Sequence, residues 1–236
     1  MNIVHNIDNM AFMKDLPDNY YDLAICDPEY GIGADKKNNG KTSKSHEIKS
    51  LAKIKSYNGN WDSKPADEKY FTELKRVSKN QIIWGVNYYD YGLKGGRIYW
   101  KKNVTMPTYS SGELAYCSLI NSIVEFEFTW HGMLQGNMKN KEVRIHPTQK
   151  PVALYRWLLQ NYAKTGDKIF DSHVGSGSSR IACYELGFDF EGCELDKDYW
   201  TDQEDRFELE KARIDGKAIF STGEGTLFEE IERKII

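Results

Sequence analysis

The chain has 236 residues, of which 40% are hydrophobic and 13% aromatic, and it carries a formal net charge of −3. This composition excludes a globally disordered protein, and the length suits one α/β domain with room for an inserted lobe. No apolar run is long enough to cross a bilayer, and Met1 is not followed by a signal-peptide pattern. We therefore expect a cytoplasmic protein without a membrane segment.

The first candidate site lies at the end of an apolar run, residues 23–26, which stops abruptly at Asp27 and Pro28. A short apolar run closed by proline is typical of a buried strand, because proline has no N–H for a ladder and disfavours helix at the preceding residue. Asp27 and Tyr30 would then follow the carboxyl end of a central strand, where open α/β sheets bind ligands. The alternative is an ordinary strand followed by a turn.

Charge is distributed unevenly along the chain. Residues 35–64 hold eight Lys against three acidic residues, a local charge of +5, whereas residues 185–236 have a charge of −9. A basic face opposite an acidic one favours polyanion binding on one side only. The alternative is a solvated Lys-rich loop, which is the commoner structure for such a run.

The rest of the chain alternates between predicted helices and strands. Helices are predicted from Pro65 onward and over 151–163, 178–186 and 199–214, and strands over 81–84, 97–100, 168–170 and 188–195. Such alternation is typical of a mainly parallel, doubly wound sheet. Residues 114–130 also have strand patterns, and an antiparallel arrangement stays open for this part of the chain.

The Cys and His residues do not follow a metal-binding pattern. Cys26, Cys117, Cys183 and Cys193 are scattered, and the five histidines are dispersed. We expect buried free thiols in a reducing compartment and predict no metal site.

A glycine-containing loop, residues 171–178, follows the predicted strand at 168–170 and opens a helix. Glycines let a ligand approach the backbone, and helix N-terminal amides donate hydrogen bonds. Glu194 comes seventeen residues after Gly177, where an acid commonly binds ribose hydroxyls. The loop lacks the third glycine of dinucleotide sites, and Asp171 would oppose a pyrophosphate but suit a cationic ligand. These features favour S-adenosylmethionine over NAD, with a purely structural turn as the alternative.

Four motifs follow one another along the chain. They are Asp27-Pro28-Glu29-Tyr30, His-Pro-Thr-Gln-Lys-Pro at 146–151, the loop at 171–178, and Glu-Leu-Asp at 194–196. In this order they resemble the DNA amino-methyltransferases of the permuted β class, and the likeness runs from about residue 8 to residue 206. The chain departs from the family pattern at three places: Glu29 replaces a proline, Ser172-His173 replaces Pro-Phe, and Ile7 replaces a glycine.

The resemblance implies a Rossmann-like S-adenosylmethionine-dependent methyltransferase fold, with a mainly parallel seven-stranded sheet that has one reversed strand. It implies a single methyltransferase domain over residues 1–236, with the Lys-rich loop at 35–64 and a short target-recognition insert at about 103–145. It also implies a pocket for S-adenosyl-L-methionine, with Glu194 near the ribose and Asp8 near the adenine. The implied cofactor residues are Asp8, Cys26, His146, Thr148, Lys150, Asp171, Ser172, His173, Gly175, Ser176, Gly177, Ser178, Glu194, Leu195 and Asp196.

The catalytic residues implied are Asp27, Pro28 and Tyr30. An exocyclic amine of a nucleobase is a poor nucleophile, because its lone pair is delocalised into the ring. The Asp27 carboxylate and the Pro28 carbonyl would accept its two N–H groups, while Tyr30 would stack on a base flipped out of the duplex. Aspartate at the first position is typical of N6-adenine enzymes in this family.

The prediction is therefore a site-specific DNA N6-adenine methyltransferase, of the kind found in restriction–modification systems. The alternatives are N4-cytosine or RNA methylation and, because of Glu29, a DNA- or donor-binding protein with impaired catalysis. Double-stranded DNA is the expected partner, and the small insert predicts a short target site, weak specificity or help from a second subunit in a homodimer. The predicted phosphate-contacting residues are Lys36, Lys37, Lys41, Lys44, Lys101, Lys102, Lys139, Lys141 and Arg144.

Overall fold

The computed structural model describes residues 1–34, 62–104, 110–131 and 134–216. Most of the predicted Lys-rich loop therefore lies outside the described residues, and so do residues 217–236 of the acidic C-terminal segment. No helix among the described residues is long and apolar enough to cross a membrane.

One eight-stranded sheet forms the centre of the protein. Its strands are β1 (Asn2–His5), β2 (Tyr21–Cys26), β3 (Ser78–Trp84), β4 (Gly96–Lys101), β5 (Gly112–Cys117), β6 (Ile123–Glu127), β9 (Lys168–Asp171) and β10 (Asp189–Cys193). Two short strands, β7 (Trp130–His131) and β8 (Leu134–Gln135), pair separately as a hairpin. The strand order in the large sheet is β1-β10-β9-β2-β3-β5-β4-β6.

The sheet is parallel except at one described strand, β5, which runs against both β3 and β4. The predicted α/β fold with a mainly parallel sheet and one reversed strand is therefore confirmed. The sheet has eight strands where seven were predicted, because β6 adds an edge strand that pairs in parallel with β4.

Helices cover both faces of the sheet, as the doubly wound prediction requires. They are α1 (Asn9–Lys14), α2 (Glu68–Val77), α3 (Val152–Tyr162), α4 (Ser178–Leu186) and α5 (Lys197–Ile214), with a short 3-10 helix at Val86–Tyr88. On one face, side chains of α3, α4 and α5 pack against β2, β3 and β9. On the other face, α1 and α2 bury Met13, Phe71 and Leu74 against the sheet. Burial on both faces explains why β2 reads as a continuous apolar run.

Strands β2 and β9 are neighbours near the middle of the sheet and run in parallel, with Leu23 opposite Ile169 and Ala24 opposite Phe170. The segment that begins at Asp27 and the glycine loop that begins after Asp171 therefore leave the same edge of the sheet side by side. This edge is where ligands bind in open α/β sheets.

Candidate active site

A cavity of about 250 Å³ opens beside the carboxyl ends of β2, β9 and β10. It brings together Asp27 and most of the predicted cofactor residues, although these come from distant parts of the chain. The predicted cofactor residues that line the cavity are Asp8, His146, Thr148, Lys150, Ser172, His173, Gly175, Ser176, Glu194, Leu195 and Asp196. The sequence motifs therefore converge on one space.

The remaining four predicted cofactor residues, Cys26, Asp171, Gly177 and Ser178, are not among the residues that line the cavity. Asp171 is buried, and its carboxylate accepts hydrogen bonds from the His173 backbone N–H at 3.0 Å and the Ser179 hydroxyl at 2.6 Å. Burial raises the pKa of Asp171 to about 6. Its two oxygens hold the glycine loop and the start of α4, so Asp171 supports the wall of the cavity from behind.

Three acidic residues at the cavity also organise the backbone around it. Asp8 caps α1 by accepting from the Ala11 N–H at 2.9 Å, and Asp196 caps α5. The two oxygens of Glu194 accept from the N–H groups of Gly175 and Asp196, each at 2.9 Å. A carboxylate oxygen has more than one acceptor position, so Glu194 retains the capacity to bind hydroxyl groups of a ligand.

The Asp27 carboxylate lies in a buried cluster of charged groups. It accepts a hydrogen bond from the Tyr30 hydroxyl and forms an ion pair with the ammonium of Lys150, which is also 3.1 Å from the Glu113 carboxylate. Burial alone would lower the pKa of Lys150, but the two carboxylates outweigh this effect and raise it. Burial would raise the pKa of Glu113, but Lys150 and Lys102 lower it to about 2. Lys150 and Glu113 therefore stay ionised at neutral pH.

Close packing around Tyr30 fixes the end of the segment that carries Asp27. The rings of Tyr30 and Tyr88 stack with their centroids 4.8 Å apart. Gly85 has a φ of +76°, and a Cβ on it would lie 2.1 Å from Cε1 of Tyr30. Glycine is therefore needed at this position both for its left-handed backbone and for the space that the Tyr30 ring fills.

A buried carboxylate that the sequence analysis missed holds the same segment from the other side. Asp62 accepts hydrogen bonds from the backbone N–H groups of Tyr30, Gly31 and Ala34 at 2.9, 2.7 and 2.7 Å. These bonds shape the turn after Asp27. No sequence pattern predicted a role for Asp62, which lies near the end of the Lys-rich loop and belongs to none of the four motifs.

Comparison with known proteins finds similarity to DNA methyltransferases. Residues 99–204 match the family model for N6 and N4 methyltransferases, which is described as DNA methylase. The chain is also 25% identical over 253 residues to the type II methyltransferase M2.DpnII of Streptococcus pneumoniae, a match that covers 89% of this chain and 90% of that protein. These matches show that the chain is similar to DNA amino-methyltransferases.

Other proteins resemble part of this chain or its fold. The type II methyltransferase M.HpaI of Haemophilus parainfluenzae is 35% identical over 78 residues, which are 33% of this chain and 23% of that protein. The solved complex of M1.HpyAVI with SAM has a TM-score of 0.54 and 20% identity, over 87% of this chain and 100% of that one. The cytosine-N4-specific PvuII DNA methyltransferase has a TM-score of 0.53 and 10% identity, over 100% of this chain and 93% of that one. The two solved structures support the fold.

The cavity is also lined by residues that the sequence analysis did not assign to the cofactor. They are Ile7, Asn9, Glu29, Gln149, Tyr155, Val174, Cys193 and Tyr199. Several stand next to motif residues in sequence, so adjacency to a motif was a usable signal for them. Tyr155 is different, because the helical face that α3 presents to the cavity depends on packing.

The residues predicted to contact DNA lie in varied surroundings. Lys139, Lys141 and Arg144 are exposed, and the Arg144 guanidinium lies 4.2 Å from the centre of the Trp130 ring. Lys101 pairs with Glu127 at 2.8 Å, and Lys102 pairs with the partly buried Glu113. Lys36, Lys37, Lys41 and Lys44 lie outside the described residues. No group of three or more His, Cys, Asp or Glu among the described residues could hold a metal ion.

Proposed function

We propose that this DNA methyltransferase transfers a methyl group to the N6 amine of a flipped-out adenine at a specific DNA site. One observation carries the proposal: the Asp27 carboxylate, which would bind the amine, lines the same cavity as Glu194 and the glycine loop. A single space thus contains the groups suited to the nucleophile and those suited to the methyl donor. The type II relatives make a restriction–modification system the expected setting.

The methyl donor is S-adenosyl-L-methionine, which supplies a methyl group on a sulfonium when bound. The chemistry of the cavity wall fits this molecule, since its sulfonium and ammonium groups are cationic. Five carboxylates line the cavity against the side chains of one lysine and two histidines. They belong to Asp8, Asp27, Glu29, Glu194 and Asp196. Burial and then the charge of Lys150 lower the pKa of one of those histidines, His146, to about 3, so its ring adds no positive charge.

The acceptors for the target amine lie at the end of β2. Asp27 offers a carboxylate, and the Pro28 carbonyl oxygen lies 3.1 Å from the Tyr89 hydroxyl, which fixes its direction while one lone pair remains available. Two acceptors gripping the two N–H groups of an amine would localise its lone pair for attack on the methyl group. We infer that the amine replaces the Lys150 ammonium at Asp27, and that Lys150 keeps Glu113 as its counter-charge.

Adenine is proposed as the target because aspartate leads the catalytic motif, following the resemblance described above. The PvuII enzyme acts on cytosine N4, but at 10% identity its likeness concerns the fold. The base is therefore the part of the proposal that needs direct measurement.

The test is transfer of a labelled methyl group from S-adenosylmethionine to unmethylated genomic DNA, followed by digestion to nucleosides. We expect the label in N6-methyl-2′-deoxyadenosine, with the Asp27→Ala protein as the negative control. Label in N4-methylcytosine would overturn the choice of base, and label in RNA alone would overturn the substrate. Donor binding without transfer to duplex or single-stranded DNA would favour the impaired-enzyme alternative. Sequencing of the modified DNA would then give the target site.

A further inference from the structure

Glu29 and His173, two residues that depart from the family motifs, are partners. Glu29 belongs to the segment after β2, and His173 belongs to the loop after β9. His173 Nε2 lies 3.3 Å from a Glu29 carboxylate oxygen, and both side chains line the cavity. The two departures therefore form one feature, which we call the charged clasp.

Neighbouring elements hold the histidine of the clasp in place. Its Nδ1 lies 2.8 Å from the Ser172 hydroxyl, which in turn lies 2.7 Å from the Tyr70 hydroxyl on α2. The Asn9 side-chain amide, on α1, lies 2.8 Å from Nε2. The ring is thus connected to both helices on this face of the sheet, so His173 is a fixed point against which Glu29 can be positioned.

The pair is ionised at neutral pH. Burial would lower the pKa of His173, but Glu29 above all, and then Asp171 and Glu194, raise it to about 8. Burial would raise the pKa of Glu29, but His173 lowers it to about 2. The two side chains are only 16% and 31% exposed, so water screens their attraction less than at an open surface.

We propose that the charged clasp positions the catalytic segment against the donor loop, so that Asp27 and the donor methyl group are held in line for transfer. The ladder between β2 and β9 pairs Ala24 with Phe170, and the clasp joins the two segments beyond that ladder. Transfer tolerates little error in this distance, since a misplacement of about 1 Å can cost about 10²-fold in rate. Glu29 and His173 are positioning residues here, and the inference rests on the proposed methyl transfer.

The experiment is a double-mutant cycle with Glu29→Gln, His173→Gln and the two together, measured as single-turnover methyl transfer and as donor affinity. We expect each single change to slow transfer by about tenfold, with a much smaller change in donor affinity. The double variant should be no slower than either single variant, because both changes break the same contact. The reversed pair, with Glu29→His and His173→Glu, should recover part of the rate.

The pH profile gives a readout that general loosening of the fold would not move. The pKa of His173 is raised, so the charged pair is complete below about pH 8 and is lost as the pH rises through that value. Wild-type transfer should therefore fall above about pH 8. Without Glu29 the decline should move to lower pH, and His173→Gln should lack it. The groups that face His173 are Glu29, Asp171, Glu194, Asn9, Ser172 and Tyr70.

A second His–Glu pair supplies a matched control. His5 Nε2 lies 2.9 Å from Glu191, and neither of these two residues lines the cavity. His5→Gln should leave transfer and its pH profile unchanged. The inference is overturned if both single variants transfer at the wild-type rate, if their effects multiply in the double variant, or if only thermal stability falls. A wild-type protein that binds no donor or transfers no methyl group would instead overturn the proposed function. If His173→Gln does not fold, the inference is tested by the transfer rate of Glu29→Gln and by the pH profiles of the wild type and Glu29→Gln.

Discussion

The two halves of the sheet carry different kinds of functional residue. In the half formed by β1, β10, β9 and β2, the segments after the strands hold three of the four motifs, and residues of all four motifs meet at one cavity. In the half formed by β3, β5, β4 and β6, the notable residues are lysines and acids. Lys101, at the end of β4, forms an ion pair with Glu127, and Lys102, which follows it, forms one with Glu113. The first half has the geometry of an active site, whereas the paired lysines of the second half do not define a DNA-binding surface.

This difference shows what a sequence pattern can specify. A glycine loop or an Asp-Pro step fixes backbone shape locally, so its side chains reach a position that the fold determines. A lysine has a long, flexible side chain whose partner depends on the neighbouring strand. Lys102, which is predicted to contact a phosphate, pairs with Glu113 of the neighbouring strand β5. Charge alone therefore indicates a function less reliably than a motif that shapes the backbone.

The largest effect should come from Asp27, in the chemical half. Replacing it by Ala should slow methyl transfer by about 10²–10³-fold, as expected when one preorganised group at a reacting centre is lost. Donor binding should persist, because Glu194 and the glycine loop are unchanged. The transfer rate of Asp27→Asn, which keeps the size and one acceptor oxygen, should fall between those of the wild type and Asp27→Ala. Equal loss of donor binding and transfer in Asp27→Ala would show that Asp27 belongs to the donor site instead.

The next largest effect on transfer should come from Gly85, which follows β3 at the boundary between the two halves of the sheet. Gly85→Ala should slow transfer by about 10²-fold, because the new Cβ would displace the Tyr30 ring and move the segment that carries Asp27. Gly187→Ala is the matched control, since Gly187 has the same φ of +76° but open space around it. Both variants should lose about 1–2 kcal/mol of unfolding free energy from the left-handed backbone. Comparable transfer rates in the two would show that Tyr30 need not stay where it lies.

The sequence predicted the fold and most residues that line the cavity, because apolar runs, proline breaks and glycine loops are local signals. It did not predict the residues that hold the site together from a distance. Asp62 binds three backbone N–H groups of the catalytic segment, and Glu113 balances the charge of Lys150. Glu29 supported only the alternative of impaired catalysis, because nothing in the sequence links it to His173, which is distant in the chain. Such contacts depend on which strands become neighbours, and a single sequence does not contain that information directly.

The smallest effect should come from substituting the lysines of the second half of the sheet. The salt dependence of DNA binding in these variants tests whether this half contacts DNA. Lys141 is exposed, whereas Lys102 is only partly exposed and pairs with Glu113. If Lys141 contacts a phosphate, Lys141→Met should reduce the salt dependence of DNA binding by about one unit in the slope of log K against log salt. Lys102→Met should leave that slope unchanged, because an ammonium already paired with a carboxylate releases no counterion from DNA. Equal slopes in wild type and Lys141→Met would remove Lys141 from the DNA surface. A reduced slope in Lys102→Met would mean that this lysine leaves Glu113 when DNA binds, and the two halves would then share one charged cluster through Glu113 and Lys150.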